Sequence, residues 1–514
     1  MDDAKARSAF DFFRSACAEP LELISPAKGW VRYSLQLSLV SKPVFHAIAA
    51  GGSANRALAG ISHELEPVRH KDQLSIAMQQ YGKAVASLRA YIDTVLIGKA
   101  TLEPVVLCCM LLVLYEVMSG RCDQAIAQFR SGWKLIQSRS HESNLLHFLA
   151  NAFETLGREA HAFDDENIGS ISDPMPLLPS LDLHPGSAFV SLYAAEKTLD
   201  ALIKTSDQCR QELIALAEER VRCEMATQSI EEATRRCLVH CLSRNVHLSR
   251  NALVPRRVAR LIAQHNAWSE ALRPMEQFYG SDPPRRLLLL RIRHFTSRFN
   301  TMTCRNTKEA FVDHFEEQFA DMLDIAKQYL THASVAPRKL RPELIEEQLR
   351  RSGIGPGQMQ QNTMVPVQHL SFETGVLPLL NLITFKSRAS AIRLRAANML
   401  IQANWREGLH NSSDIGLVAR EMERLEADNA RFVDESLPRS GELCSAQVPE
   451  KARWADVVVS GQLYPRPHLQ LLCARYMHED DSGRIKIDYR TEDTRSHGFP
   501  TFLDTGCATF GPFG

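Results

Sequence analysis

The chain has 514 residues, with 60 Lys plus Arg against 60 Asp plus Glu, so its formal charge is zero and a global basic field for nucleic acid is excluded. Hydrophobic residues at 45% and charged residues at 23% describe a folded globular chain, outside the disordered and membrane classes. At about 150 residues per domain the length allows roughly three domains or one large helical body.

The first residues, Met1-Asp2-Asp3-Ala4-Lys5-Ala6-Arg7, lack an apolar core, so a secretory signal is not expected. Twelve cysteines scattered without a tight framework point to a reducing compartment. Gly51-Gly52-Ser53 lacks the second flanking glycine of a nucleophile elbow, follows a helix-like segment and reads as a helix terminus. Tyr81, Val85, Leu88, Ile92 and Val95 fall on one face of a helix. Pro104 then opens the longest apolar run, Val105 to Tyr115. A membrane span needs about 18 such residues, so this run predicts a fully buried helix and no membrane partner. Gly120 would end it, Asp123 would cap the next helix, and Ile126, Phe129, Trp133 and Ile136 mark that helix's apolar face.

Residues 164–186 carry Asp164-Asp165-Glu166 and Pro174, Pro176, Pro179 and Pro185, a density that predicts a surface linker. Helical periodicity returns from Ser187 to about Arg250, with Leu199, Leu202, Leu213 and Leu216 among its apolar positions. Breaks follow at Asp282-Pro283-Pro284 and from about Thr331 to Pro366. A capped helix is expected from Ser390, with Ile392, Ala396, Met399, Leu400 and Ala403 on one face. Another is expected after a Ser413 or Asp414 cap, with Ile415, Val418, Met422 and Leu425 buried. Residues 468–477 and 484–490, flanking Asp480-Asp481-Ser482-Gly483, suggest a small hairpin. The expected fold is therefore all-α, a large multi-helix body with a small C-terminal β-hairpin. Its expected divisions are a helical part over 1–163, the linker 164–186, a second helical part over 187–435 and a tail over 436–514.

Tests for chemistry fail in turn. Gly353-Ile354-Gly355-Pro356-Gly357 lacks the Lys-Ser/Thr of a phosphate loop, and His63-Glu64 has no second histidine to form a zinc site. Cys223, Cys237 and Cys241 with His240 and His247 form the one metal-like cluster, but no second close cysteine pair completes four ligands, so the thiols read as core. Cys108-Cys109 sits inside the apolar run and reads as core too. The basic stretch from Arg285 to Arg298 reads as a solvated helix side, and Pro337-Arg338-Lys339-Leu340-Arg341-Pro342 is a weak nuclear-import pattern. No catalytic, cofactor-binding or metal-ligating residue, no cofactor and no enzymatic activity are expected.

Three stretches carry a resemblance. They are Phe10-Asp11-Phe12-Phe13-Arg14 with Leu35 to Ser38 and His46 to Ala50; Tyr81-Gly82-Lys83-Ala84 with Leu88-Arg89, Tyr115-Glu116, Gly120, Ala125-Ile126 and Arg130 to Ile136; and Gly375 to Leu380 with Lys386-Ser387-Arg388, Arg393, Arg395 and Trp405-Arg406-Glu407-Gly408-Leu409. In this order they resemble the helical regulatory region of fungal zinc-cluster transcription factors, the fungal-specific transcription factor domain, over about residues 8–490. In that frame the Arg406-Glu407-Gly408 step would close a helix. The resemblance implies a transcription regulator in the nucleus, with the cytoplasm as the alternative location, and places such regulators in secondary-metabolite gene clusters.

Members of that family typically carry a six-cysteine zinc cluster with two Cys-x-x-Cys pairs and a basic linker. Here the first hundred residues hold only Cys17, and no Cys-x-x-Cys occurs. Without the cluster, sequence-specific DNA binding does not carry over. The implied partner is then a protein, a transcription factor or co-regulator. The competing reading is a helical interaction or ligand-sensing scaffold without direct transcriptional activity. Oligomeric state, effector, target genes and the sign of regulation are not written in the sequence.

Overall fold

The computed structural model describes residues 2–18, 21, 29–61, 67–96, 101–119, 121–139, 145–146, 148–150, 188–226, 233–251, 254–304, 306–333, 369–371, 375–403, 405–407, 410–462, 468–478 and 485–493. The chain divides into two compact units, the first comprising Met1–Ala162, His332–Thr374 and Asn404–His410, the second Phe163–Thr331, Gly375–Ala403 and Asn411–Gly514. The expected linker over 164–186 and the glycine-rich and basic stretches between residues 334 and 366 lie outside the described residues.

In the first unit α1 (Asp2–Phe12) runs into a π-helical turn, Phe13–Cys17, and is followed by α2 (Trp30–Leu37), α3 (Lys42–Ile61), α4 (Pro67–Leu96), α5 (Glu103–Met118) and α6 (Cys122–Arg139). Helix α3 is central and packs against α1, α4 and α5. Its core side is built from small residues, with Ala47, Ala49, Ala50, Ala54 and Ala57 all buried. Gly51 and Gly52 therefore lie inside a helix and do not end one. The reason is close approach: a Cβ on Gly52 would stand 2.2 Å from the Ala9 carbonyl oxygen and 3.1 Å from the Phe13 Cβ. The absent side chain lets α1 lie against α3.

Helix α5 buries every residue from Pro104 to Met118, as the apolar run predicts. Ser119 is its C-cap, and Gly120 lies outside the described residues. Asp123 falls within α6, which begins at Cys122, and so is not its cap. On α4 the buried line passes through Ile76, Ala77, Gln80, Ala84, Leu88 and Val95, leaving Tyr81, Val85 and Ile92 half-buried. Gln80 belongs to this core because its Oε1 lies 2.8 Å from His46 Nδ1, satisfying a buried amide. Strands β1 (His369–Ser371) and β2 (Trp405–Glu407) pair in parallel, with Leu370 opposite Arg406. The Trp405-Arg406-Glu407 segment is thus extended, not the end of a helix. Arg406 Nη1 donates to the Val117 carbonyl oxygen at 2.6 Å, an acceptor in the last turn of α5.

The two-residue strand β3 (His410–Asn411) falls at the division between the units. The second unit contains α7 (Leu192–Ala226), α8 (Ala233–Arg250), α9 (Val254–Tyr279), α10 (Arg285–Thr303), a 3₁₀ turn Glu309–Phe315 leading into α11 (Glu316–Ala333), α12 (Leu377–Lys386), α13 (Ser390–Ala403) and α14 (Ser412–Val433). Leu199, Leu202 and Leu213 of α7 are buried. Trp268 of α9 fills one core cluster with Leu199, Leu272, Leu287 and Leu290, and its Nε1 donates to the Ala195 carbonyl oxygen at 3.0 Å.

Helix α14 buries Ile415, Val418, Met422 and Leu425, the face the sequence pattern marks. Its cap is Asn411, whose side chain accepts from the Ser413 N–H at 3.2 Å, so Ser413 and Asp414 lie in the first turn and neither is the cap. Asp414 there faces the positive end of the helix dipole. A Cβ on Gly416 would come 2.6 Å from Ile401 Cγ1 and 2.7 Å from the Ala397 carbonyl oxygen, which fixes how closely α14 meets α13.

The C-terminal hairpin is present as β5 (His468–His478) and β6 (Ile485–Asp493), antiparallel, with Ala474 opposite Tyr489. It is completed by a third strand beyond the expected hairpin, β4 (Asp456–Gln462), which pairs with β5. Leu238, Leu242 and Val246 of α8 pack with Val458, Leu472, Ala474 and Tyr476 of this sheet. Val457, Leu471 and Cys473 are buried too, with Cys473 Sγ 4.0 Å from Met422 Sδ of α14. Both faces of the sheet are therefore covered.

Candidate functional site

Among the described residues, no group of three or more His, Cys, Asp or Glu side chains is arranged to hold a metal ion. His240 instead pairs with Glu218 at 3.0 Å, and its pKa is raised, first by a hydrogen bond with Cys241 and then by Glu218, against the effect of partial burial. The side chains of Cys223 and Cys237 lie outside the described residues. Cys108 and Cys109 are buried in α5, and burial pushes the Cys109 thiol up to about 11 and Cys108 well above its ordinary value. Neither offers a thiolate at neutral pH.

The basic stretch of α10 is neutralised within its own unit. Arg286 pairs with Glu196, Arg291 with Glu276 at 3.1 Å and Arg293 with Asp200 at 2.7 Å, while Arg285 lies over the Tyr329 ring with its carbon 4.6 Å from the centroid. These arginines fasten α10 to α7, α9 and α11.

A serine and two histidines do meet in the core. Ser206 Oγ lies 3.3 Å from His265 Nε2, and His294 Nε2 lies 3.0 Å from the His265 carbonyl oxygen. The His294 ring stacks on Trp268 at 4.6 Å. Burial lowers His265 to about 3 and His294 to about 4, so both rings are neutral at physiological pH. His265 is fully buried, and its Nδ1 has no hydrogen-bond partner among the described residues, so no carboxylate orients it as a base.

The densest polar feature is a buried ionic network in the second unit. Glu426 of α14 accepts from the Trp454 N–H at 2.6 Å, faces Arg388 at 3.1 Å and meets Arg393 of α13 at 2.7 Å. Burial opposes the Glu426 charge, but the two guanidinium groups prevail and hold its pKa below the usual carboxylate range. Lys386 lies 3.1 Å from both oxygens of Glu309, and Glu450 accepts the Glu309 and Ala310 N–H groups at 2.7 and 2.8 Å. Arg453 makes a two-bond pair with Asp313 at 2.6 and 2.7 Å. The network ties the 3₁₀ turn, α12, α13, α14 and residues 445–456 together.

A smaller polar cluster lies in the first unit. Glu116 is buried at the end of α5 and pairs with Arg121 at 2.7 Å, whose guanidinium lies 5.4 Å from the Tyr81 ring and 5.2 Å from the Tyr115 ring. The two tyrosine rings stack at 4.6 Å. Burial, and then a hydrogen bond to Glu116, raises the Tyr81 pKa. Neither cluster presents an activated nucleophile; both hold helices in register.

Residues 11–157 match the family model of the fungal specific transcription factor domain. That span takes in the Tyr81, Tyr115, Glu116 and Arg121 cluster and nearly all of the first two resembling stretches, while the third, from Gly375 to Leu409, lies beyond it. Over residues 11–157, then, the chain is similar to a fungal specific transcription factor domain, which supports a role in transcription regulation. Domains of this family are in general non-enzymatic. No curated protein and no solved structure matches the chain. No helix among the described residues is long and apolar enough to cross a membrane.

Proposed function

We propose that this protein is a nuclear transcription regulator that acts through a protein partner, a zinc-cluster transcription factor or a co-regulator, and that its targets lie in a secondary-metabolite gene cluster. The observation that carries the reading is the family match over residues 11–157 in a sequence of 514 residues that holds no Cys-x-x-Cys pair. On this reading another chain chooses the site, because phosphate contacts position a protein but carry no sequence information. The polar clusters support this role as rigid struts of a binding body.

Chromatin occupancy of a tagged copy, read together with transcript levels after gene deletion and with mass spectrometry of co-purifying proteins, tests the proposal. The expected result is discrete promoter occupancy that disappears when the co-purifying factor is deleted, with coordinate loss or gain of transcripts from neighbouring genes. Steady exclusion from the nucleus with unchanged transcripts would replace this reading by that of a helical scaffold.

A further inference from the structure

Helices α8 and α9 are separated by three residues. From Ala233 to Ser269 the chain holds seven arginines, no lysine, no aspartate and no glutamate. In a protein of zero formal charge this is a concentrated positive run. Arg250, Arg256, Arg257 and Arg260 of it are exposed. Arg256 and Arg260 stand four apart on one face of α9. Neither makes an ion pair or hydrogen bond with any described residue, in contrast to the paired arginines of α10. Arg257 meets Glu212 at 2.7 Å, with both side chains still about half exposed.

A second observation points the same way. Arg256 and Arg257 occupy the first turn of α9, where there is no acidic residue. The helix dipole presents positive charge at that end, so like charges are stacked on like, and a bound anion relieves the repulsion.

The surroundings decide which anion. No exposed large hydrophobic side chain lies on the described residues between Ala233 and Ser269; those nearest in sequence are Tyr193 and Phe278. A protein interface is anchored by aromatic or aliphatic side chains, and a lipid surface is held by an apolar wedge. Phosphate oxygens need neither, and guanidinium groups bind them in pairs of hydrogen bonds. Several arginines spread over two linked helices suit a repeating polyanion. We propose that the exposed arginines of α8 and α9 bind the phosphate backbone of nucleic acid without reading its sequence. This goes beyond the regulatory reading above and stands or falls separately from it.

The test uses the purified full chain and a fluorescent DNA duplex of about 24 base pairs, with anisotropy followed from about 50 to 300 mM KCl. Weak binding is expected, equal for two unrelated sequences and falling log-linearly with salt. Arg256→Ala with Arg260→Ala should lower affinity at least about tenfold at low salt and reduce the salt slope by about 2, since each phosphate contact contributes about 0.9. Arg256→Lys with Arg260→Lys should restore the slope. Alanine at the exposed Arg89 and Arg439, outside the run, should change nothing. Both positions on α9 are exposed, and an unchanged circular dichroism spectrum and Tm will show that the fold is intact. No binding by the natural chain, an unchanged slope in the alanine pair, or equal competition by polyglutamate would overturn the proposal.

Discussion

Arg388 and Glu426 face each other at 3.1 Å with neither side chain more than 2% exposed. The Arg388 guanidinium also donates to the carbonyl oxygens of Phe385, Lys386 and Trp454, at 2.9, 2.7 and 2.5 Å. One buried cation thus holds the end of α12, the face of α14 and the chain entering β4. Glu426 is its counter-charge and that of Arg393 as well.

Removing one partner of such a group is far more damaging than removing a half-exposed pair. Glu426→Leu leaves Arg388 with Glu309, at 3.4 Å, as its remaining ion-pair partner and removes the carboxylate that pairs Arg393, and the expected loss is about 3–5 kcal/mol. Asp313→Ala breaks the bidentate pair to Arg453, but Asp313 is 24% exposed, so water replaces part of the interaction and about 1–2 kcal/mol is expected. Urea unfolding of both variants measures the difference. Equal losses would show that burial does not set the strength of this network.

Asp456, at the start of β4, introduces a pH dependence. Burial raises its pKa from 3.8 to about 7, against the pull of Lys386 and Arg244 and with Glu309 adding to the rise. A carboxyl whose folded pKa lies above its unfolded value favours the folded state when protonated. That contribution is complete below about pH 3.8 and is lost as pH rises to about 7. Asp456→Asn keeps the acceptor that takes the Val457 N–H and never ionises. It should match the natural chain near pH 4 and exceed it by about 1–4 kcal/mol at pH 8, at about 1.4 kcal/mol per unit. Chemical denaturation across pH reads the divergence; parallel curves would contradict it.

The His265 and His294 pair acts with the opposite sign. Burial lowers the two to about 3 and about 4, so the fold favours neutral rings, and their contribution is full above the ordinary histidine value of 6.5. It is lost as pH falls from there toward 4. His265→Gln with His294→Gln should be less stable than the natural chain at pH 7.5, through lost stacking on Trp268. It should also flatten the decline between pH 6.5 and 4 by about 3–6 kcal/mol, at about 1.4 kcal/mol per unit for each ring. Thermal unfolding at a series of pH values separates this slope from that of Asp456.

The elements that apolar periodicity alone defines were legible. The run of α5 is buried throughout, and the Ile415, Val418, Met422, Leu425 stripe of α14 is buried as spaced. Elements whose core includes polar or very small residues were not. On α4, Gln80 and Ala84 take the centre of the buried line, which turns the true face away from Tyr81 and Val85. Strand β4 reads as Val457-Val458-Val459 without alternation because both faces of its sheet are covered, and a short continuous apolar run does not distinguish strand from helix. The buried pairing of Arg388, Arg393 and Glu426 has no local signature in the sequence. Their partners lie 38 residues apart or more along the chain for Arg388 with Glu426 and with Trp454, so no local spacing announces them. For the regulatory region, order and spacing of weak packing patterns carried the resemblance, and residues 11–157 are where it is matched.

Adjacent glycines of α3 should respond oppositely to the same change. A Cβ on Gly51 would meet Met118 and Phe13 side-chain carbons at 3.6 Å, ordinary contact, whereas on Gly52 it would stand 2.2 Å from the Ala9 carbonyl oxygen. Gly51→Ala removes backbone freedom from the unfolded chain and adds packing, so it should stabilise by about 0.5–1 kcal/mol. Gly52→Ala must push α1 away from α3 and should destabilise by about 1–3 kcal/mol or more. Denaturant midpoints of the two variants, measured side by side, test the contact. A destabilised Gly51→Ala with a tolerated Gly52→Ala would mean that α1 does not rest on α3 through Gly52.

The Glu116 and Arg121 pair gives the first unit its own test. Arg121→Met removes the guanidinium that lies beside the stacked Tyr81 and Tyr115 rings and leaves the Glu116 carboxylate, 1% exposed, with the Tyr81 hydroxyl. An unpaired buried charge of this kind costs about 3 kcal/mol, and the loss should fall mainly on the unit that holds residues 11–157. Adding Glu116→Leu removes the stranded charge, and the double variant should recover most of that stability, because the penalty lies in the orphaned carboxylate more than in the lost pair. Additive losses in this double-mutant cycle would instead mean that Glu116 and Arg121 hold α4, α5 and α6 through separate contacts.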